Sequence, residues 1–221
     1  MDSRRQLGEP GVSLQACRWL SPFGLACALY FLLWIPESQP SCLGALVKCL
    51  PVLSLALFLR AQPPGPRSSR LPQGALLCSA VGDACLIWPD AFLYGVGAFA
   101  AAHLLYLCHL GFTPRRPHLL LPIGLVAAPY FGLLLLQLTP DMVLPLAGYA
   151  LLLATLLWRG LARGGLAGCG ALLFTFSDCV LAWSTFAWPL PHARLLVMST
   201  YYAAQAVLAL SAAHGARPKA S

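Results

Sequence analysis

The chain has 221 residues, of which 59% are hydrophobic and only 10% charged, with a formal net charge of +7 and a mean hydropathy of +0.74. A soluble domain would carry about 25% charged residues, so a water-soluble enzyme is excluded. The apolar stretches are long enough to cross a bilayer, ~17–25 residues each. The length suits one helical bundle and leaves no room for a separate soluble domain.

Turn and charge signals divide the chain into eight predicted helices at 19–35, 41–59, 72–88, 91–111, 118–138, 142–158, 165–183 and 193–213. Breaks fall at Pro36 to Pro40, Gln62 to Leu71, Pro89-Asp90, Thr113 to Pro117, Thr139-Pro140, Arg159 to Gly165 and Trp188 to Pro191. Residues 1–18 and 214–221 read as polar tails. The first apolar stretch follows an Arg-containing leader and is long enough to span, unlike a cleaved signal peptide. The connections are short, so consecutive helices are expected to be antiparallel neighbours. The expectation is an all-α polytopic membrane protein, a single bundle of eight transmembrane helices.

The basic residues alternate between connections. Arg4, Arg5 and Arg18 precede the first helix; Arg60, Arg67 and Arg70 surround the second connection. Arg115 and Arg116 lie in the fourth, Arg159 and Arg163 in the sixth, and Arg217 and Lys219 in the tail. The odd connections hold Glu37, Asp90, Asp141 and a single basic residue, Arg194. Positive loops stay cytosolic, which predicts both termini in the cytosol. The positive charge is explained by orientation and anionic lipid headgroups, with no nucleic-acid partner. The nine cysteines form no Cys-x-x-Cys or Cys/His spacing and read as small apolar residues. No metal or cofactor is expected.

Two aspartates lie inside predicted spans, in matching surroundings. Asp83 sits in GALLCSAVGDACLIW, Gly74 to Trp88, and Asp178 in GALLFTFSDCVLAW, Gly170 to Trp183. Each segment opens Gly-Ala-Leu-Leu, has a serine (Ser79, Ser177) before the acid, and places a Trp five residues after it. In a helix that interval is about 7.5 Å, so the acids are predicted at one depth, able to face each other if helices three and seven pack together. The parallel segments hint at a four-plus-four repeat. An ionised carboxylate near the bilayer centre costs roughly 2.5–3.5 kcal/mol, so such acids point to function. A close pair is expected to titrate as a unit and hold one proton between them, which is what general acid–base hydrolysis uses. The plainer role for each is an interhelical hydrogen bond.

Other polar groups fall within the spans. Lys48 lies too deep in helix two for easy snorkelling and could neutralise an aspartate or hold a lipid phosphate. His103 and Tyr106 are one turn apart on helix four, as are Tyr202 and Gln205, beside Tyr201, on helix eight. Ser79, Ser177, Lys48, His103, Tyr106, Tyr201, Tyr202 and Gln205 are the candidate binding residues; each could equally serve an interhelical bond.

Lys48-Cys49-Leu50-Pro51, Ser79 to Asp83, Ala102-His103-Leu104-Leu105-Tyr106, Ser177-Asp178 and Tyr201-Tyr202-Ala203-Ala204-Gln205 together resemble the YhhN-like transmembrane lysoplasmalogenases, over nearly the whole chain. The resemblance implies an eight-span fold in the endoplasmic reticulum membrane. It also implies hydrolysis of the vinyl ether bond of choline or ethanolamine lysoplasmalogens, giving a fatty aldehyde and a glycerophosphodiester. Carried over, Asp83 and Asp178 are the catalytic pair, with Lys48, His103 and Tyr202 beside them. The partners are the lysolipid and the bilayer, and a homodimer is compatible with the sequence.

Two other readings stand beside this one. Val81-Gly82-Asp83 is similar to the Gly-x-Gly-Asp motif of intramembrane aspartyl proteases, but Ala80 replaces its first glycine, Ser177 precedes the second acid where that class has Tyr, and no Pro-Ala-Leu follows. A proton-coupled transporter could use the aspartates as a relay, yet the paired Gly/Pro-interrupted helices of such cores are missing.

Overall fold

The computed structural model describes residues 14–36, 38–62 and 70–215. Residues 1–13 and 216–221 of the expected tails, Glu37 and the centre of the second connection therefore lie outside the described residues, whereas residues 14–18 and 214–215, expected in the tails, belong to the first and last helices. Eight α-helices account for the chain, with no strand among the described residues: α1 Leu14–Leu33, α2 Cys42–Ala61, α3 Arg70–Cys85, α4 Phe92–Leu110, α5 Leu120–Leu135, α6 Pro140–Arg163, α7 Gly165–Phe186 and α8 Ala193–Gly215. Short 3-10 turns at Pro89–Ala91 and Pro117–Leu119 lead into α4 and α5. By length and composition, six helices can cross a membrane: α2, α4 and α5 with their leading turns, α6, α7 and α8. Leu20–Leu33 of α1 is a shorter apolar segment.

Two predicted boundaries move for physical reasons. The third helix ends at Cys85 rather than Trp88, because Pro89 disfavours helical backbone in the residue before it and residues 86–88 form a turn. Asp83 thus lies in the last turn of α3, whereas Asp178 lies well inside α7. The matched acid-to-Trp spacing therefore does not translate into matched helical positions. The sixth helix runs past Trp158 to Arg163 and is joined to α7 by Gly164 alone.

That extension corrects the reading of Arg159 and Arg163 as loop cations. Arg159 is fully buried; its Nε donates to the Gly111 carbonyl at 2.7 Å and its Nη1 to the Pro114 carbonyl at 2.9 Å. Arg163 donates to the Leu110 carbonyl, from Nε at 2.8 Å. Trp158 Nε1 donates to the Arg116 carbonyl at 2.9 Å. Carbonyls at a helix C-terminus lack partners within their own helix and carry partial negative charge, so the two arginines fasten the end of α4 to α6.

The helices close into a ring, with packed pairs α2–α3, α3–α4, α4–α6, α6–α7, α7–α8 and α8–α2. α1 packs outside on α2, and α5 outside on α6. The expected α4–α5 neighbour pair does not occur; α6 takes α5's place. α5 buries only Leu134, so almost all its surface is left for lipid. α3 and α7 are not packed along each other, but α8 touches both. The order of contacts repeats between halves: an outer helix, then three ring helices, twice. That pattern agrees with the four-plus-four duplication hinted at by the two Gly-Ala-Leu-Leu segments.

The ring interior mixes apolar packing from α2, α3, α4, α7 and α8 with buried Lys48, Ser79, Asp83, His103, Ser177 and Gln205. Outward-facing leucines and valines, such as Leu25, Val81, Leu125 and Leu151, give a surface suited to hydrocarbon. Gly82 sets how closely α3 approaches α4, since a Cβ there would meet the Phe99 ring at 2.6 Å.

Candidate functional site

Asp83 is 2% exposed, enclosed because Gly82 admits Phe99 beside it. The Tyr201 hydroxyl of α8 donates to Asp83 Oδ2 at 2.7 Å. Lys48 is buried on α2, which packs along α3. The Lys48 backbone is pinned as well: Tyr202 donates its hydroxyl to the Lys48 carbonyl at 2.8 Å. Pro51 supplies no N–H to the α2 ladder, so this segment is tied partly by a neighbouring helix, as is usual for prolines in membrane helices.

Asp178 is partly exposed and takes its hydrogen bond from another helix. The Tyr149 hydroxyl of α6 donates to Asp178 Oδ2 at 2.5 Å. Tyr149 is a residue the sequence reading missed; the available signal was a lone hydroxyl in the apolar run Leu144 to Leu153. The helices that carry the two acids, α3 and α7, are not packed along each other, and α8 touches both. Each acid is held by a tyrosine from a different helix, Asp83 by α8 and Asp178 by α6.

The remaining candidates separate into engaged and unengaged groups. Tyr106 donates to Gln205 Oε1 at 2.6 Å, joining α4 to α8 across the interior. Ser177 donates to the Val197 carbonyl at 3.0 Å and acts as an α7–α8 tie. Ser79 Oγ, both ring nitrogens of His103 and Gln205 Nε2 are buried without a hydrogen-bond partner among the described residues. The His103 ring meets Tyr149 edge-on at 5.1 Å between centroids and Phe174 at 4.8 Å. Phe174 also packs against Tyr201 at 5.6 Å, so one aromatic wall runs from the tyrosine on Asp178 to the tyrosine on Asp83.

Buried polar groups without protein partners are ordinarily satisfied by ordered water. In a low-dielectric setting, a preorganised carboxylate stabilises developing positive charge far better than in water.

An all-helical chain with several bilayer-length apolar helices and buried acidic and polar side chains is a multi-pass membrane protein. The chain belongs to the YhhN family, whose sequence model matches residues 43–212. It is 65% identical to a pig protein named lysoplasmalogenase TMEM86B over 206 residues, covering 93% of this chain and 91% of that protein. It is 63% identical to the human protein of the same name, covering 92% and 90%. A bovine protein named lysoplasmalogenase TMEM86A is 38% identical, covering 90% of each. No solved structure matches.

Proposed function

We propose that this chain is a lysoplasmalogenase that hydrolyses the vinyl ether of a lysolipid between Asp83 and Asp178. The observation that carries the proposal is two acids within the bundle, each tied by a tyrosine hydroxyl, inside a chain 65% identical to a protein named for that activity.

The chemistry requires a proton donor, a stabilised cation and water. Protonation of the vinyl β carbon moves the double-bond electrons and gives an oxocarbenium ion centred on the α carbon and ether oxygen. Water adds to the α carbon, and the hemiacetal collapses to a fatty aldehyde and the free alcohol of the glycerophosphodiester. A proton returned from the water leaves the acid pair as it began. The transition state is similar to that served by the two carboxylates of glycosidases.

Charge distribution suggests which acid does which. Asp83 has the Lys48 cation nearby and serves as the carboxylate that stabilises the oxocarbenium ion and orients water. Asp178 has the Asp83 charge as a neighbour and serves as the proton donor, with Tyr149 on one oxygen leaving the other for the proton. Ser79, His103 and Gln205 hold the water. The eight helices all span, the termini are cytosolic, and the membrane is the endoplasmic reticulum.

The test is aldehyde release from lysoplasmenyl-choline by purified protein in detergent, beside Asp83→Asn and Asp178→Asn. The wild type is expected to release aldehyde and each variant to lose ~10²–10⁴-fold of the rate while remaining folded. Undiminished turnover by either variant removes that acid from the mechanism. A proton-coupled transporter would release no aldehyde in detergent.

A further inference from the structure

A cleft opens at the end of the bundle that carries the odd-numbered connections. Its walls include Tyr30, Pro36, Ser41, Lys48, Ile87 and Arg194, drawn from α1, the α1–α2 connection, α2, the turn after α3 and α8. Two of these six are cations, in a chain where Arg194 is the only basic residue of the odd connections.

Arg194 is held in place. Its Nε donates to the Tyr30 hydroxyl at 3.0 Å and its Nη1 to the Ile35 carbonyl at 2.8 Å. Its guanidinium stacks over Trp34 at 4.3 Å. A planar guanidinium fixed in this way is suited to a phosphate oxyanion. Lys48 is 7% exposed yet lines the cleft, and its ammonium makes no hydrogen bond or ion pair within 4 Å among the described residues. Six residues separate it from the start of α2, about 9 Å of helical rise, so it forms the floor. The first turn of α2 also lines the cleft through Ser41 and Gly44, adding the partial positive charge of a helix N-terminus.

This floor adjoins the acids. Lys48 stands on α2, which packs along the helix of Asp83 and is joined to it next door by Cys49 Sγ donating to the Ala80 carbonyl at 3.1 Å, and Ile87 in the cleft wall lies four residues after Asp83. In a lysoplasmalogen the glycerol backbone alone separates phosphate from ether oxygen, so a phosphate in the cleft keeps the vinyl ether within a few bonds of it, toward the end of α3 that carries Asp83.

We propose that this cleft binds the phosphodiester of the lysolipid headgroup, with Arg194 on its wall and Lys48 on its floor as the two cations. The inference rests on the lysoplasmalogenase reading for the identity of the lipid. It makes Arg194 a specificity-determining residue for phosphate-bearing over phosphate-free ether lipids.

The test measures binding rather than turnover, using the purified full-length protein. The probes are 1-O-alkyl-glycerophosphocholine, whose saturated ether cannot be cleaved by this chemistry, and 1-O-alkylglycerol, which has the same chain without phosphate. The wild type is expected to prefer the phosphate-bearing probe. Arg194→Gln should cut that preference roughly tenfold to hundredfold, the range for losing a charged hydrogen bond, and Arg194→Lys should restore part of it. Equal affinity of the wild type for both probes, or an undiminished preference in Arg194→Gln, overturns the proposal. So does a uniform loss of both probes in Arg194→Gln and Arg194→Lys, which marks a structural role. Competition by inorganic phosphate alone as effective as the phosphate-bearing probe also overturns it, assigning the cleft to a free anion. An Arg194-dependent preference without aldehyde release from lysoplasmenyl-choline would leave the headgroup cleft standing and sink the hydrolase reading instead.

Discussion

Tyr149 offers the sharpest single-residue test of how the acids are held. It donates to Asp178 and touches no part of the headgroup cleft. Tyr149→Phe keeps the ring against His103 and removes the donor. A bond to an ionisable partner contributes about 1.5–3 kcal/mol, so kcat should fall roughly tenfold to hundredfold with KM little changed. Steady-state kinetics of aldehyde release checks this, and unchanged kcat would show that Asp178 is oriented by other groups. Lys48→Met should split the other way, raising KM more than it lowers kcat, because the ammonium serves the phosphate first and Asp83 second. The reverse pattern would place Lys48 chiefly with the acids. Neither Tyr149 nor the tyrosine that serves Asp83 could be paired with its acid from spacing, since each bond joins residues far apart in the chain.

At the scale of helices, close crossings at glycines set the ring, and Gly160 and Gly82 differ in what stands opposite. At Gly160 an added Cβ would lie 2.4 Å from the Ala171 side chain and 2.8 Å from the Ala167 carbonyl oxygen. At Gly82 it would meet only the Phe99 ring, which can turn aside. Overpacking costs typically ~1–3 kcal/mol, and the larger share is expected where backbone must move. Gly160→Ala should therefore lower the melting temperature in detergent more than Gly82→Ala. Gly124→Ala, which meets nothing within 4 Å, should leave it unchanged or raise it slightly through helix propensity. Gly82→Ala should also depress aldehyde release, since Phe99 can yield only at the expense of the wall beside Asp83. All eight helices were legible in the sequence because apolar length and Pro/Gly punctuation are local signals. The burial of Arg159 was not, because a cation near a predicted helix end looks the same whether it meets water or the C-terminal carbonyls of another helix.

For the molecule as a whole, the ring makes orientation testable. The alternation of basic connections puts the headgroup cleft on the face opposite Arg115 and Arg116. Single cysteines introduced at Arg115 and at His192 in a cysteine-free background should be labelled from opposite sides of sealed membranes. Labelling of both from one side would overturn the assignment of termini and of the cleft's face. A second chain at sn-2 would have to pass the cleft beside the glycerol, so plasmalogens carrying one are expected to be poor substrates in the same aldehyde assay. Efficient cleavage of them would contradict a narrow lipid slot.

Composition by itself determined that this chain lives in a bilayer, because a chain with so few charges and so many long apolar runs has no other solvent. Two acids in such runs were visible for the same reason: an expensive group stands out against a cheap background. Which groups meet was decided only by closure of the ring. Closure set α6 between α4 and α7, brought Tyr149 and Tyr201 to different aspartates, and put Arg194 and Lys48 in the lining of one cleft. Hydrophobic pattern specifies that a helix faces lipid or protein, but not which helix stands opposite, because that depends on packing shapes and polar pairs summed over the whole bundle.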